Sequence, residues 1–151
     1  MSETSLPHNL KVLVIDDEPS IVTYLSAVLE DNGFEALSAT DGETGATLAR
    51  DRSPDLICLD IMMPKRTGIA VYEDFKRDPL TRNIPVIFIS AFNQIQDLKL
   101  PQYFRKMVGQ NIPEPEAYLE KPIRASDFVD TVTSLIGASP AAGDESKQKR
   151  Q

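Results

Sequence analysis

The sequence has no long apolar run and contains one cysteine and one histidine. Because Cys58 is the single cysteine, no disulfide can form within the chain, which suits a reducing cytoplasm. A membrane-spanning helix needs about 18 or more apolar residues, far more than any run here provides. The opening residues, MSETSLPHNL, have neither the charged nor the apolar region of a signal peptide. We therefore expect a cytoplasmic protein without membrane insertion.

Basic residues are also in the minority. The chain carries 16 Lys and Arg against 23 Asp and Glu, a net charge of −7, with no basic stripe. We therefore do not expect direct binding to nucleic acid. A length of 151 residues allows one domain with a sizeable core. Because both ends are polar and poor in large apolar side chains, we predict a disordered N-terminal arm over 1–9, one domain over 10–136 and a disordered tail over 137–151.

Short apolar runs alternate with helical patterns inside the predicted domain. Most runs lack a two-residue alternation, which is typical of strands buried on both faces of a parallel sheet. Helical patterns follow the runs, with Ser126 as the expected cap of the last helix and two short helices, broken at Pro101, before the final strand. This order predicts a doubly wound, flavodoxin-like (βα)5 sandwich with a five-stranded parallel sheet. The predicted strands are Lys11–Ile15, Phe34–Ala39, Leu56–Leu59, Val86–Ile89 and Tyr118–Leu119.

Polar side chains stand where four of the predicted strands end. Asp16 and Asp17 follow the first strand, Asp60 the third, Ser90 the fourth and Lys121 the fifth. The carboxyl ends of parallel strands meet at one edge of the sheet, so we expect these five residues to converge there. Three clustered carboxylates would repel one another unless a hard cation lay among them. Mg²⁺ prefers such oxygen ligands, and two carboxylates, a backbone carbonyl and waters would complete its octahedron.

Each of these residues has an ordinary structural explanation when it is considered alone. An acid after a strand often caps the next helix or starts a turn. A serine there is often a satisfied hydroxyl, a lysine is often solvated, and a tyrosine on a strand often packs in the core. The arrangement of all of them at one sheet edge is what favours a functional site over these alternatives.

Four stretches resemble the signature blocks of the response-regulator receiver domains of two-component signalling: VIDDEPS, DLICLDIMMPKRTG, IPVIFISA and YLEKP. They occur in order at the predicted strand ends, and the resemblance covers roughly residues 10–136. It implies a stand-alone receiver that accepts a phosphoryl group on Asp60 and switches a protein-binding surface. The single histidine, His8, lies outside the predicted domain. A separate sensor histidine kinase or phosphotransfer protein would therefore supply the group.

The resemblance also implies how the site is divided among its residues. Asp16 and Asp17 would form the acidic pair that holds Mg²⁺, with Asp17 and Asp60 as direct ligands. The backbone carbonyl of Met62 would be the third ligand from the protein.

The remaining implied roles concern the phosphoryl group. The hydroxyl of Ser90 would bond to the group, Lys121 would pair with it, and Tyr118 would be the aromatic switch. The resemblance also raises the odds of a cis peptide bond between Lys121 and Pro122. The expected output is binding to a downstream protein, and a homodimer that forms on phosphorylation is left open.

The sequence departs from the receiver pattern between Ser90 and Lys121. The connection is longer than usual, and Glu114 and Pro115 replace the Gly-Ala pair that receivers usually have before the aromatic position. One interpretation is a remodelled fourth helix packed on the sheet. The alternative hypothesis is a partner-docking surface to which Tyr103 and Phe104 contribute.

Two other function classes fit the sequence less well. A pseudo-receiver would bind partners without phosphorylation, but it would need none of the five site residues. A phosphatase of the haloacid-dehalogenase kind would need a second aspartate two residues after its nucleophile, and Met62 occupies that place.

Overall fold

A five-stranded parallel sheet separates two layers of helices. The computed structural model describes residues 9–107 and 110–137. The strands run in the order β2-β1-β3-β4-β5, and every neighbouring pair is parallel. This arrangement confirms the predicted doubly wound, flavodoxin-like fold. The strands are β1 Lys11–Ile15, β2 Glu35–Ala39, β3 Leu56–Asp60, β4 Val86–Ser90 and β5 Ala117–Glu120.

The helices of the described residues lie between and after these strands. They are α1 Pro19–Asp31, α2 Gly42–Arg52, α3 Gly68–Arg77, α4 Gln94–Asp97, α5 Leu100–Met107 and α6 Ala125–Ile136. Among the residues that the structure describes, no helix is both long and apolar enough to cross a membrane. The predicted arm and tail fall almost entirely on 1–8 and 138–151, outside the described residues, so the predicted domain limits stay a prediction.

Each face of the sheet has its own hydrophobic core. On one face, side chains of α2, α3 and α5 cover alternate residues of the strands, such as Leu13 and Leu59. On the other face, α1 and α6 cover the residues between them, including Val14 and Cys58. Strands covered on both faces must be apolar at nearly every position, which explains why most of the predicted strands showed no alternation. Cys58 is fully buried, and burial raises the pKa of its thiol, as expected for an inert core residue.

Helix caps were predicted less well than strands. Ser126 is not the cap of α6: the helix begins at Ala125, and Arg124 precedes it without a side-chain cap. The side chains of Asp41 and Thr67, which the sequence analysis did not identify, cap α2 and α3 by accepting from the backbone N–H of Thr44 and Ala70.

The described residues between β4 and β5 contain the two helices α4 and α5, as predicted, but the break is not at Pro101. It lies at Leu98 and Lys99, where Lys99 has a left-handed backbone (φ 51°), and Pro101 sits in the first turn of α5. The face of α5 that carries Leu100 and Phe104 packs on the sheet, which confirms the remodelled-helix interpretation for this segment.

Phe104 is therefore not part of an exposed docking surface, and that prediction is wrong. Its side chain is fully buried and contacts the rings of Tyr72 and Phe88, with ring centroids 5.2 Å and 5.7 Å away. Tyr103 is exposed, and its hydroxyl donates to Glu73 of α3.

Candidate functional site

The candidate site lies at the carboxyl edge of the sheet, where the strand order reverses between β1 and β3. Ligands of open α/β sheets bind at such a switch point. Asp16 and Asp17 follow β1 directly, and Asp60 is the last residue of β3. Beyond β3 the chain folds tightly back, because the N–H of Gly68 donates to the carbonyl of Ile61 (2.6 Å). A Cβ on Gly68 would collide with the main-chain oxygen of Asp60, so only glycine fits this path.

Three carboxylates come together at this edge. One side-chain oxygen from each of Asp16, Asp17 and Asp60 lies within 4.8 Å of the other two. Asp16 is fully buried, Asp60 is nearly so, and Asp17 is partly exposed. Asp16 Oδ1 accepts from the backbone N–H of Glu18 at 2.9 Å, which fixes the orientation of the carboxylate.

Lys121 reaches the same cluster from the end of β5. The peptide bond between Lys121 and Pro122, whose isomer the sequence left open, is cis. The lysine Nζ lies 2.7 Å from Glu18 Oε1, 3.1 Å from Asp16 Oδ2 and 3.7 Å from Asp60 Oδ1. Its main-chain N–H donates to the carbonyl of Ser90 (2.7 Å), which holds the end of β5 against β4.

Burial and neighbouring charges shift the pKa values of these groups. Burial is the main cause that raises the pKa of Asp60 to about 7, and the neighbouring charge of Asp16 adds to it. Burial likewise raises the pKa of Asp16. Burial opposes the charge of Lys121, but hydrogen bonds to Glu18 and Asp16 outweigh it, so the pKa of Lys121 lies above its usual value. The site thus holds more negative charge than one lysine can neutralise.

This donor set fits a hard divalent cation. The three clustered groups are all carboxylates, and oxygen ligands are those that Mg²⁺ prefers. The raised pKa values of Asp16 and Asp60 mean that their ionised forms lack compensation, which a cation would supply. Receiver domains generally bind Mg²⁺ in such an acidic pocket. Met62 lies two residues after the end of β3. The predicted role of its backbone carbonyl as a metal ligand stays a prediction.

Ser90 lies on β4, which pairs with β3, and Tyr118 lies on β5, the next strand outward. Ser90 ends β4, and its Oγ is buried without a hydrogen-bond partner among the described residues. The ring of Tyr118 on β5 stacks on Phe88 with centroids 6.2 Å apart, so the side chain is turned into the core. The buried hydroxyl of Tyr118 likewise has no hydrogen-bond partner among the residues that the structure describes. Burial raises the pKa of that hydroxyl to about 12, so it stays protonated.

One residue of the site was missed by the sequence analysis. Glu18 makes the shortest contact with Lys121, although the sequence showed it only as a third acid after Asp16 and Asp17. Glu18 and Lys121 lie 103 residues apart in the chain, and the order of the strands in the sheet brings them together, which no local pattern reveals.

Comparisons with known proteins show which sequences and folds this chain resembles. The sequence model of the response regulator receiver domain matches residues 12–133. RpaA of Synechocystis sp., a DNA-binding dual master transcriptional regulator, is 36% identical over 126 residues, which are 83% of this chain but 48% of RpaA. The chain thus spans about half the length of that relative. Protein PilH of Pseudomonas aeruginosa is 30% identical over 126 residues, which are 83% of this chain and 97% of PilH.

A solved structure supports the fold independently. The chemotaxis response regulator CheY4 of Vibrio cholerae superposes with a TM-score of 0.72 at 23% identity, over 85% of this chain and 99% of that chain. At this identity the likeness concerns the fold alone. Together with the matched family model and the relatives at 30% identity or more, the convergence of the predicted residues at one sheet edge leads to one conclusion: this chain belongs to the response regulator receiver domain family.

Proposed function

We propose that this chain is a phosphorylation-controlled switch in which Asp60 accepts the phosphoryl group. The observation that carries the proposal is the surroundings of the Asp60 carboxylate. It is nearly buried, two further carboxylates lie beside it, and the Lys121 Nζ is 3.7 Å from its Oδ1. A buried acid placed in this way has little structural value, because burial and like charges disfavour its ionised form.

The reaction is a transfer of a phosphoryl group to a carboxylate. An Asp60 side-chain oxygen attacks phosphorus in line, the bond from phosphorus to the leaving atom of the donor breaks, and an acyl phosphate forms. The leaving atom is an imidazole nitrogen when the donor is a phosphohistidine, and a carboxyl oxygen when it is acetyl phosphate. A Mg²⁺ ion held by Asp16, Asp17, Asp60 and the Met62 carbonyl would neutralise charge on the phosphoryl oxygens. The ammonium of Lys121, whose Nζ lies 3.7 Å from Asp60 Oδ1, contributes the same kind of neutralisation.

The switch follows from two unpartnered hydroxyls. The Oγ of Ser90 has no hydrogen-bond partner in the described residues, so it is free to donate to a new phosphoryl oxygen. Its movement would open space beside Tyr118, whose buried hydroxyl is also unpartnered there. A local change in charge would thus be converted into a change of packing at β4 and β5.

The partners in this proposal are other proteins. A sensor histidine kinase or phosphotransfer protein delivers the phosphoryl group in the cytoplasm, and a downstream protein, or a second copy of this chain, binds the switched surface. The exposed ring of Tyr103 on α5 is the one residue of the predicted docking pair that remains available for such a contact.

Intact mass after incubation with acetyl phosphate and Mg²⁺ tests the proposal. We expect the wild-type chain to gain one phosphoryl group and Asp60→Asn to gain none. Asp51→Asn is the matched control, because Asp51 is an exposed aspartate on α2, away from the site, and this variant should label like the wild type. Equal labelling of Asp60→Asn would remove Asp60 from the mechanism. A wild-type chain that takes up no phosphoryl group would favour the alternative, a pseudo-receiver that binds its partners constitutively.

A further inference from the structure

Glu18 is an acid of the site that has no part in the proposed phosphoryl transfer. Its Oε1 accepts from Lys121 Nζ at 2.7 Å, whereas the same Nζ lies 3.7 Å from Asp60 Oδ1, beyond hydrogen-bond reach. In the unmodified protein, Lys121 is therefore held toward Glu18 and Asp16 rather than toward the residue that receives the phosphoryl group.

We propose that Glu18 is a positioning residue that restrains Lys121 and so slows phosphorylation of Asp60. The inference rests on the proposed function, because it concerns the rate of that reaction. For Lys121 to stabilise charge on the incoming phosphoryl oxygens, its ammonium must turn from its present acceptors toward Asp60. The work of breaking the contact with Glu18 then adds to the activation barrier.

The two present acceptors differ in how easily they release the lysine. The side chain of Asp16 is fully buried, so an Asp16 left without Lys121 would be an uncompensated charge away from water. The Glu18 side chain is 57% exposed and can turn into solvent, where its charge is hydrated at no comparable cost. Glu18 is therefore the acceptor that Lys121 gives up, and the strength of this one contact sets the restraint.

The contact can be removed without disturbing the backbone around it. Glu18 holds the start of α1 through its main-chain groups: its N–H donates to Asp16 Oδ1, and its carbonyl accepts from Ile21 and Val22. Its side chain makes no capping hydrogen bond in α1. A change of the side chain to glutamine keeps its shape and all of these main-chain bonds, while it removes the charge that holds Lys121.

The expected effect follows from the exposure of the pair. Ion pairs in which one partner is exposed contribute at most about 1 kcal/mol, which corresponds to about a fivefold change in rate. We therefore expect Glu18→Gln to be phosphorylated up to about five times faster than the wild type at low acetyl phosphate and saturating Mg²⁺, as measured by intact mass over time. Glu30→Gln removes an equal charge from an exposed site on α1 and should leave the rate unchanged.

A second variant separates restraint of Lys121 from simple repulsion of the anionic donor. Glu18→Asp keeps the negative charge near the site, but its side chain is one methylene too short for the present contact. Restraint predicts that Glu18→Asp is also faster than the wild type, whereas repulsion predicts the wild-type rate. Thermal unfolding and Mg²⁺ affinity, measured on both variants, show whether the site itself has changed.

The outcomes are distinct. Faster labelling of both Glu18 variants, with unchanged Mg²⁺ affinity, supports the restraint. Labelling of Glu18→Gln at or below the wild-type rate, or of Glu18→Asp at the wild-type rate, overturns it while the proposed function stands. If the wild type itself takes up no phosphoryl group, the proposed function fails and the restraint fails with it.

Discussion

Removal of the charge on Asp60 should stabilise this protein when no metal ion is present. The carboxylate is 5% exposed and lies among other acids, and burial is the main cause that raises its pKa to about 7. In the unfolded chain the pKa of the same group is near 3.8. Between these values the folded state binds more protons than the unfolded state, so stability falls as the pH rises through this window.

The size of the effect follows from the two pKa values. A rise from 3.8 to about 7, at about 1.4 kcal/mol for each pKa unit, gives an upper bound of about 4 kcal/mol for the cost of ionised Asp60 above pH 7. Asn at this position removes the charge and keeps the shape. It also loses the attraction of Lys121, whose closer acceptors are Glu18 and Asp16. We therefore expect Asp60→Asn to gain about 1–3 kcal/mol at pH 8.

Urea denaturation in EDTA measures this gain. The difference between Asp60→Asn and the wild type should be largest at pH 8 and small near pH 4, and saturating Mg²⁺ should reduce it by stabilising the wild type. Asp51→Asn, on the exposed side of α2, should differ little from the wild type at either pH. If Asp60→Asn were no more stable than the wild type at pH 8 in EDTA, the argument that the acid cluster is destabilising without a cation would be refuted.

Three further predictions concern the metal, the core and the loop after β3. Mg²⁺ must displace a proton from Asp60, whose pKa is about 7, so the affinity for Mg²⁺ should fall as the pH is lowered from about 8 to 6, with about half a proton released per bound ion at pH 7. Calorimetry in buffers of different ionisation enthalpy measures the number of protons released. Binding of Mg²⁺ without proton release would contradict this prediction. Phe104→Ala should lower the free energy of unfolding by about 3–5 kcal/mol in urea denaturation because the ring is fully buried. Tyr103→Ala should lower it by about 1 kcal/mol. Equal losses for the two variants would contradict the difference in burial between these side chains. Gly68→Ala should lower both the melting temperature and the Mg²⁺ affinity, because its Cβ collides with the Asp60 carbonyl; an unchanged Mg²⁺ affinity would show that the loop path does not support the site.

The strands and the positions of the site residues at their ends were accessible from local sequence. Asp16, Asp60 and Ser90 each follow an uninterrupted apolar run, and parallel sheets collect such strand ends at one edge. The observed strands therefore agree with the predicted ones within one residue at each end. The helix break was missed because Lys99 takes a left-handed conformation for which lysine gives no signal, whereas Pro101, the apparent breaker, is tolerated in a first helical turn.

By itself, then, the sequence determined which residues form strands and which chemical groups stand at their ends, since both depend on neighbours along the chain. Only the tertiary structure decided what covers a helix face and which acid Lys121 contacts. The apolar pattern of α5 could not tell a buried Phe104 from an exposed one, because periodicity defines a face but not its partner. The contact of Glu18 with Lys121 exists because the sheet brings two distant segments together. The differences among the distances from the Lys121 ammonium to Glu18, Asp16 and Asp60 follow from that packing alone.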